Sequence, residues 1–157
     1  MEYAIKKERL YCGGNECLRY RLEYPLLEKY DKINAFLDKM IKNCEDYCRG
    51  KLYGIACQGK DKYTYFFTAR VTHTDTESIS AVMVARLLCN GNERGSFEKA
   101  ITWDVKTELM MPPNLICRRY GKRGDVNCRK KDVFLKNGEV VSISQKEEVL
   151  FVKKQQK

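Results

Sequence analysis

Cysteines are the residues of this chain best suited to chemistry, because thiols form disulfides, bind metals and act as nucleophiles. The eight are Cys12, Cys17, Cys44, Cys48, Cys57, Cys89, Cys117 and Cys128. An even number suits a disulfide framework, but 157 residues make a longer chain than the usual disulfide-stapled domain and offer enough apolar residues for a core. We therefore predict that these cysteines are reduced thiols.

Two of these cysteines have a spacing that suits a metal. Cys44 and Cys48 stand one helical turn apart, where two thiolates can bind one zinc ion, and Cys12 with Cys17 could complete a four-thiolate site. Cys44 and Cys48 also lie on the apolar stripe of a predicted helix, where a free cysteine packs as a small hydrophobic residue. We favour core packing, and we predict no bound metal and no cofactor.

His73 is the single histidine, so a Ser-His-acid or Cys-His catalytic arrangement would have to include it. It ends a predicted strand, on the face that carries Phe67 and Val71, which favours a half-buried structural histidine. Its neighbours Asp75 and Glu77 are typical turn acids. We expect no enzyme activity.

A basic segment, residues 118–131, is the strongest binding signal in a chain with 30 Lys and Arg against 21 Asp and Glu and a formal charge of +9. The candidate ligand-binding residues are Arg118, Arg119, Tyr120, Lys122, Arg123, Arg129, Lys130 and Lys131. Cations beside an aromatic suit a nucleic-acid backbone, since each neutralised phosphate releases counterions. An acidic protein surface would also fit, while a solvated basic surface is the plainer interpretation, which we favour because no nucleic-acid-binding motif accompanies the segment.

Hydrophobic periodicity predicts the elements that position these residues. Three alternating runs in residues 63–111, separated by turn residues, predict an antiparallel meander with one buried face. That face carries Tyr63, Tyr65, Phe67, Ala69 and Val71, then Ile79, Ala81, Met83, Ala85 and Leu87, then Phe97, Ile101, Trp103 and Val105.

The flanking segments predict further elements. Alternation over residues 18–24 predicts a first strand ended by Pro25, and three- and four-residue spacing predicts a helix at about 27–49, ended by Gly50. Short strands are predicted at 52–57 and 149–152, and a helical turn at 115–120. Asn137-Gly138 predicts a hairpin between strands at 133–135 and 140–143.

Together these elements predict one α+β domain over residues 1–152, followed by a frayed basic tail at 153–157. One amphipathic helix, at about 27–49, packs on an antiparallel meander sheet of about five to seven strands. We expect no membrane insertion and a cytoplasmic location for the chain as written, or an extracytoplasmic one if an export signal was trimmed. Exposed strand edges leave a homodimer open.

Short motifs occur in the order typical of one bacterial family. Tyr24-Pro25 precedes the helix, which contains Ile33-Asn34, and Ile79-Ser80 opens a strand; Thr-Trp-Asp-Val-Lys-Thr at 102–107 and Val-Phe-Leu-Lys-Asn-Gly at 133–138 follow. Over about residues 18–145 the chain resembles the domain of unknown function in the extracytoplasmic part of the anti-sigma factor RsiV and beside the catalytic domain of the peptidoglycan deacetylase PdaC. The turn after Trp103 usually ends in Gly in that family, and here it ends in Glu108.

The resemblance implies an α+β recognition domain without catalysis of its own, used in RsiV to bind lysozyme, and it transfers no functional residue to this chain. We therefore predict a non-enzymatic recognition module that binds a protein or a cell-wall-related ligand. The alternative is nucleic-acid binding through residues 118–131.

Overall fold

The computed structural model of the chain describes residues 1–129 and 132–143. Its strands are β1 (Tyr3–Cys12), β2 (Asn15–Pro25), β3 (Tyr63–Thr74), β4 (Ser78–Cys89), β5 (Asn92–Asp104), β6 (Val133–Lys136) and β7 (Glu139–Ser142). Its helices are α1 (Asp31–Tyr47), α2 (Tyr53–Gln58) and α3 (Pro113–Tyr120), with a π-helical turn at Cys48–Leu52 and a 3₁₀ turn at Val126–Arg129. The strand predicted at 149–152 and the predicted tail lie outside the described residues.

The strands form a five-stranded sheet in the order β1-β2-β3-β4-β5 and a separate two-stranded sheet, β6-β7. All pairs are antiparallel except β2 with β3, which is parallel because the chain returns through α1 and α2 before β3 begins. The predicted α+β class and the meander of β3, β4 and β5 are confirmed. The hairpin around Asn137-Gly138 and the helical turn at 115–120 are also confirmed.

The main core lies between α1 and one face of the large sheet, which we call the inner face. Ile33, Leu37 and Ile41 of α1 are at most 1% exposed. They are four residues apart, about one helical turn, and so form one buried stripe. The predicted inner-face residues of β3, β4 and β5 lie in this core or pack against it. Phe36 meets Trp103 edge to face at 5.8 Å, which joins the helix to β5.

Glu108 closes the helical side of this core from a distant part of the chain. Its φ of 58° lies in the left-handed region that favours glycine. Its Oε1 accepts the backbone N–H groups of Lys32 at 3.0 Å and Ile33 at 3.3 Å, two donors that α1 itself leaves without partners. The carboxylate thus caps α1, which offsets the strain of the left-handed backbone at Glu108.

Three predictions about the elements and their ends are wrong. β1 precedes the predicted first strand, residues 52–57 form helix rather than strand, and Gly50 continues the helix through the π-helical turn instead of ending it. Leu52 and Ala56, each 1% exposed, belong to the same core as α1, so burial of an apolar stripe outweighs the cost of glycine inside the helix.

The other face of the large sheet, the outer face, is divided in two. The hairpin β6-β7 and helix α3 cover the end that carries Ser78, Ser80 and Thr102, and we call this the covered half. A second core joins these elements and contains Met111, Ile116, Val133, Leu135 and Val140. The remaining end, on β1, β2 and the start of β3, we call the open half.

Across residues 1–129 and 132–143, no helix has the length and apolar character needed to cross a membrane.

Candidate functional site

The predicted basic segment lies on α3 and the loop that follows it. Arg118 and Arg119 are exposed on the last turn of α3, and Lys122 and Arg123 are exposed in the loop. Arg119 approaches Asp104 at 3.8 Å, whereas Arg118, Lys122 and Arg123 make no ion pair within the described residues. Arg129 ends the 3₁₀ turn, and Lys130 and Lys131 lie outside the described part of the chain.

A disulfide holds this basic loop closed. Cys117 and Cys128 are bonded, with their Cα atoms 5.8 Å apart. Gly121 fits tightly beneath the bond, because a Cβ there would lie 2.5 Å from the Cys117 carbonyl oxygen. The loop therefore presents its cations from a fixed scaffold.

Tyr120, the aromatic of the predicted site, is tied into the protein. Its hydroxyl donates to Asp75 Oδ2 at 2.9 Å and lies 2.8 Å from Ser78 Oγ, and its ring meets the His73 ring edge to face. Burial, ahead of the other influences, raises the pKa of Tyr120. The structure thus gives Tyr120 a role in packing, and stacking on a base would require these contacts to break.

His73 lies at the centre of the same network. Its Nδ1 accepts the N–H of Gly138 at 2.9 Å, so Nε2 carries the proton and donates to Asp75 Oδ2 at 2.8 Å. The predicted structural histidine has a side chain 8% exposed, but a register shift after Val71 pairs His73 with Ser80 and puts it on the outer face, not on the predicted face of Phe67 and Val71. Because both ring nitrogens already have protein partners, this imidazole is arranged to join β3 to the β6-β7 hairpin.

Asp75 is the anion of this network. Burial, the largest single influence, would raise its pKa, but hydrogen bonds from the Glu77 and Ser78 N–H groups, His73 and Tyr120 together lower the pKa below its usual value. The carboxylate is therefore charged at neutral pH and holds its donors in place.

A second basic surface, which the sequence analysis did not identify, lies on the open half. Strand register places Lys7 opposite Arg21, Arg21 beside Phe66, and Arg9 opposite Arg19. These side chains share the outer face because alternate residues of a strand point the same way. A groove of about 480 Å³ runs between them and is lined by Lys7, Glu8, Arg9, Arg19, Tyr20, Arg21, Thr64 and Phe66.

Carboxylates on neighbouring positions orient these cations. Glu16 accepts from Arg19 at 2.8 Å and lies 3.5 Å from Arg9. The side chain of Glu23, which is 10% exposed, pairs with both Arg21 and Arg70. The guanidinium groups are therefore held outward from the sheet while their net charge stays positive.

Tyr20 anchors the groove from beneath. Its hydroxyl donates to Glu8 Oε2 at 2.8 Å and accepts from Arg49 Nε at 3.1 Å. Burial is the main reason that the pKa of Tyr20 rises to about 12. This neutral hydroxyl links the end of the helical segment to the strands that carry the cations.

The prediction that the cysteines are reduced is wrong for four of them, which form the bonds Cys12–Cys57 and Cys117–Cys128. Both pairs have Cα separations in the ordinary disulfide range, at 5.6 and 5.8 Å. The remaining thiols are Cys17, Cys44, Cys48 and Cys89. Fold geometry brings these pairs together over separations of 45 and 11 residues, which sequence spacing does not encode.

The four-thiolate set considered as the alternative to core packing is not assembled among the described residues. Cys48 is fully buried and Cys44 packs against the main core, as the core-packing interpretation expects. The sulfurs that do meet are those of Cys12, Cys17 and Cys57, all within 4.8 Å of one another. With Cys12 bonded to Cys57, only Cys17 offers a free thiol there.

No protein-family model matches the chain, and no curated protein matches its sequence. A solved structure of a DUF3298 family protein from Pseudomonas aeruginosa PAO1 matches over 72% of this chain, with a TM-score of 0.55 and 8% identity. The match corresponds to 55% of that protein's length, and at this identity it shows a shared fold alone.

Proposed function

We propose that this chain is a non-enzymatic recognition module that binds acidic groups of a protein ligand on its open half. The observation that carries the proposal is the cross-strand cluster of Lys7, Arg19 and Arg21 around Phe66. An apolar aromatic centre with a cationic rim is a common arrangement at protein interfaces.

The pairing of like charges supports a binding role. Lys7 stands directly opposite Arg21, and Arg9 directly opposite Arg19, although like charges at opposed positions destabilise a sheet. Guanidinium groups bind carboxylates in a two-pronged geometry, so an acidic partner would relieve this repulsion. Glu16 and Glu23 offset part of the repulsion, whereas Lys7 makes no ion pair among the described residues.

The fold and the disulfides support a recognition domain that lies in an oxidising compartment. A neighbour of known structure is a DUF3298 family protein, and its likeness supports the fold of the proposed module alone. Two disulfides favour an oxidising compartment, which supports an extracytoplasmic location. A cell-wall-related ligand with phosphate or carboxylate groups would meet the same cations.

Two matched variants test the proposal, each removing three positive charges. The first combines Lys7→Gln, Arg9→Gln and Arg19→Gln on the open half, and the second combines Arg118→Gln, Lys122→Gln and Arg123→Gln on the basic segment. The probe is a fluorescent hexaglutamate peptide, with binding followed by anisotropy at moderate salt.

We expect the open-half variant to weaken peptide binding by about tenfold or more, because three contacts between exposed charges, at about 0.5 kcal/mol each, together contribute about 1.5 kcal/mol. The basic-segment variant is expected to bind as the wild type does. Equal losses in the two variants, or binding unaffected by either, would contradict the proposal. A phosphate-rich polymer that competes better than the peptide would point to a cell-wall-related ligand instead.

Nucleic-acid binding through the basic segment is the second candidate, favoured by the exposure of Arg118, Lys122 and Arg123 on a closed loop. A labelled single-stranded oligonucleotide tests it. This candidate requires affinity that falls steeply with salt and is lost in the basic-segment variant alone. Weak salt dependence would rule it out.

A further inference from the structure

A free thiol lies against one of the two disulfides. Cys17 Sγ is 3.0 Å from Cys12 Sγ, and Cys12 is bonded to Cys57. Cys17 is buried at 6% exposure, whereas Cys57 is exposed at the surface. One cluster therefore holds a nucleophile, Cys17, the sulfur that it would attack, Cys12 Sγ, and the leaving group, Cys57.

The backbone of the β1-β2 hairpin brings Cys12 and Cys17 together. Gly13 and Gly14, with φ of 57° and 86°, form a two-residue turn that only glycine adopts freely. The strand register then passes from Tyr11↔Glu16 to Leu10↔Leu18, which leaves Cys17 as the extra residue of a bulge. Since a bulge redirects its side chain, it accounts for the contact between Cys17 and Cys12.

Helix α2 brings Cys57 to the same place. Ala56 is buried in the main core, and the Tyr53 hydroxyl donates to the Tyr11 carbonyl oxygen at 2.5 Å. These contacts do not involve the disulfide, so α2 keeps its attachment to the hairpin if the bond from Cys57 is broken.

We propose that Cys12, Cys17 and Cys57 form a thiol–disulfide exchange centre that converts Cys57 into an exposed thiol modification site. The Cys17 thiolate attacks Cys12 Sγ, a Cys12–Cys17 bond forms, and the Cys12–Cys57 bond breaks. Cys57 leaves as a thiolate and takes up a proton to replace the one that Cys17 released. One disulfide and one thiol are present before and after, so no oxidant or reductant is consumed.

The surroundings of Cys17 set the speed of this exchange. Burial is the main reason that the pKa of the Cys17 thiol is raised, and the neighbouring Glu16 carboxylate adds to it, while a hydrogen bond between the sulfur and the Cys17 backbone opposes them. The thiol is mostly protonated at neutral pH, and exchange over about minutes to hours is typical of uncatalysed rearrangement. The Cys117–Cys128 bond has no free thiol in its cluster among the described residues and serves as an internal reference.

Trypsin peptides distinguish the two disulfide isomers. Cleavage after Arg9 and Arg19 gives peptide 10–19, which carries both Cys12 and Cys17, and cleavage after Lys51 and Lys60 gives peptide 52–60, which carries Cys57. The folded full-length chain is incubated with N-ethylmaleimide, quenched with acid, digested without reduction and analysed by mass spectrometry. We expect peptide 10–19 with an internal disulfide and singly labelled peptide 52–60 to increase together in equal amounts.

Two variants keep the test decisive. In Cys17→Ser, we expect peptides 10–19 and 52–60 to remain joined and Cys57 to stay unlabelled. Cys17→Ala replaces this variant if the serine disturbs folding. Cys44→Ser, which removes a free thiol elsewhere, is expected to behave as the wild type. Labelling of Cys17 while Cys57 stays bonded would overturn the proposal, as would labelling of Cys57 to the same extent in the Cys17 variants.

Discussion

The outer face of the large sheet is used in two ways. The covered half carries short hydroxyl side chains, Ser78, Ser80 and Thr102, each at most 2% exposed beneath α3 and the β6-β7 hairpin. The open half carries long cations and faces solvent. Small polar residues allow a second layer to approach the sheet closely, whereas Lys7 and Arg19 hold other layers away.

Hydrogen bonds show how completely the covered half is occupied. Ser80 Oγ lies 2.6 Å from Thr102 Oγ1 and accepts the Leu135 N–H at 3.1 Å, while Thr72 Oγ1 donates to the Leu135 carbonyl at 2.6 Å. One half thus supplies stability by burying satisfied polar groups. The other half carries more cations than the Glu16 and Glu23 carboxylates neutralise, and it is therefore the half that we assign to a ligand.

Leu135→Ala should break the covered half most severely. Leu135 is fully buried at the centre of the second core, so truncation removes apolar contacts and leaves a cavity. We expect a loss of about 2–5 kcal/mol in the free energy of unfolding, measured by urea denaturation. Lys136→Ala, one residue away and exposed, is the control and should cost less than about 0.5 kcal/mol. Equal effects would mean that the hairpin is not docked as described.

Loss of the Cys117–Cys128 bond should rank next. The bond closes a short loop in the unfolded chain, and the chain-entropy estimate for such a loop is about 3 kcal/mol. The paired variant Cys117→Ser with Cys128→Ser should lower the unfolding midpoint accordingly while leaving hexaglutamate binding intact. Loss of peptide binding in this variant would transfer the site to the basic segment.

Ser80→Val tests the hydrogen bonds between the sheet and its cover. The Leu135 N–H and the Thr102 hydroxyl would lose a buried partner, which costs about 1–3 kcal/mol. Thr64→Val makes the equivalent change on the open half, where water can replace any lost contact, and should cost less than about 0.5 kcal/mol. Thermal unfolding of both variants provides the measurement. If Ser80→Val left the unfolding temperature unchanged, these hydrogen bonds would not contribute to stability.

Acid should loosen the covered half through Asp75. Its pKa is lower in the folded chain than in the unfolded one, so its stabilising contribution is fully present above the unfolded pKa of about 3.9. That contribution is lost as pH falls through the lower folded pKa. The difference in unfolding free energy between wild type and Asp75→Asn, followed from about pH 6 to about pH 2, should therefore shrink with acid. A constant difference would show that the carboxylate charge does not matter.

Substitutions on the open half should have the smallest effect on stability. Lys7, Arg9 and Arg19 are exposed, and exposed ion pairs contribute about 0–1 kcal/mol. The variant that combines Lys7→Gln, Arg9→Gln and Arg19→Gln should therefore unfold at nearly the wild-type urea concentration, because the ion pairs lost to Glu16 and the repulsion relieved are both small. Strong destabilisation would instead make these cations structural.

Alternation of apolar and polar residues predicted the strands that have one buried face and one more exposed face. β3 and β4, with Phe67 and Ala85 on the buried face, are examples. β1 was not predicted because it is an edge strand with polar residues at inner-face positions, such as Lys6 and Glu8. Lys6 contacts Glu45 and Glu8 contacts Tyr20 at the edge of the sheet. Gly50 misled the helix boundary because glycine is a common helix end, yet here the apolar stripe continues past it.

The open half was beyond prediction for a different reason. Arg19 and Arg21 are visible in the sequence as polar positions of a strand, but their neighbours Lys7 and Phe66 depend on how β1 and β3 pair with β2. The pairing with β3 is parallel and spans the whole helical segment, so no local pattern encodes it. The disulfide partners were hidden by the same long-range geometry.

Mapping hexaglutamate binding by two-dimensional NMR decides whether the open half binds an acidic partner. On titration, we predict saturable amide shifts confined to β1, β2 and the start of β3, near Lys7, Arg19 and Phe66. If the largest shifts fall in residues 118–123, the ligand binds the basic segment instead of the open half. Shifts that never saturate would show charge attraction without a binding site.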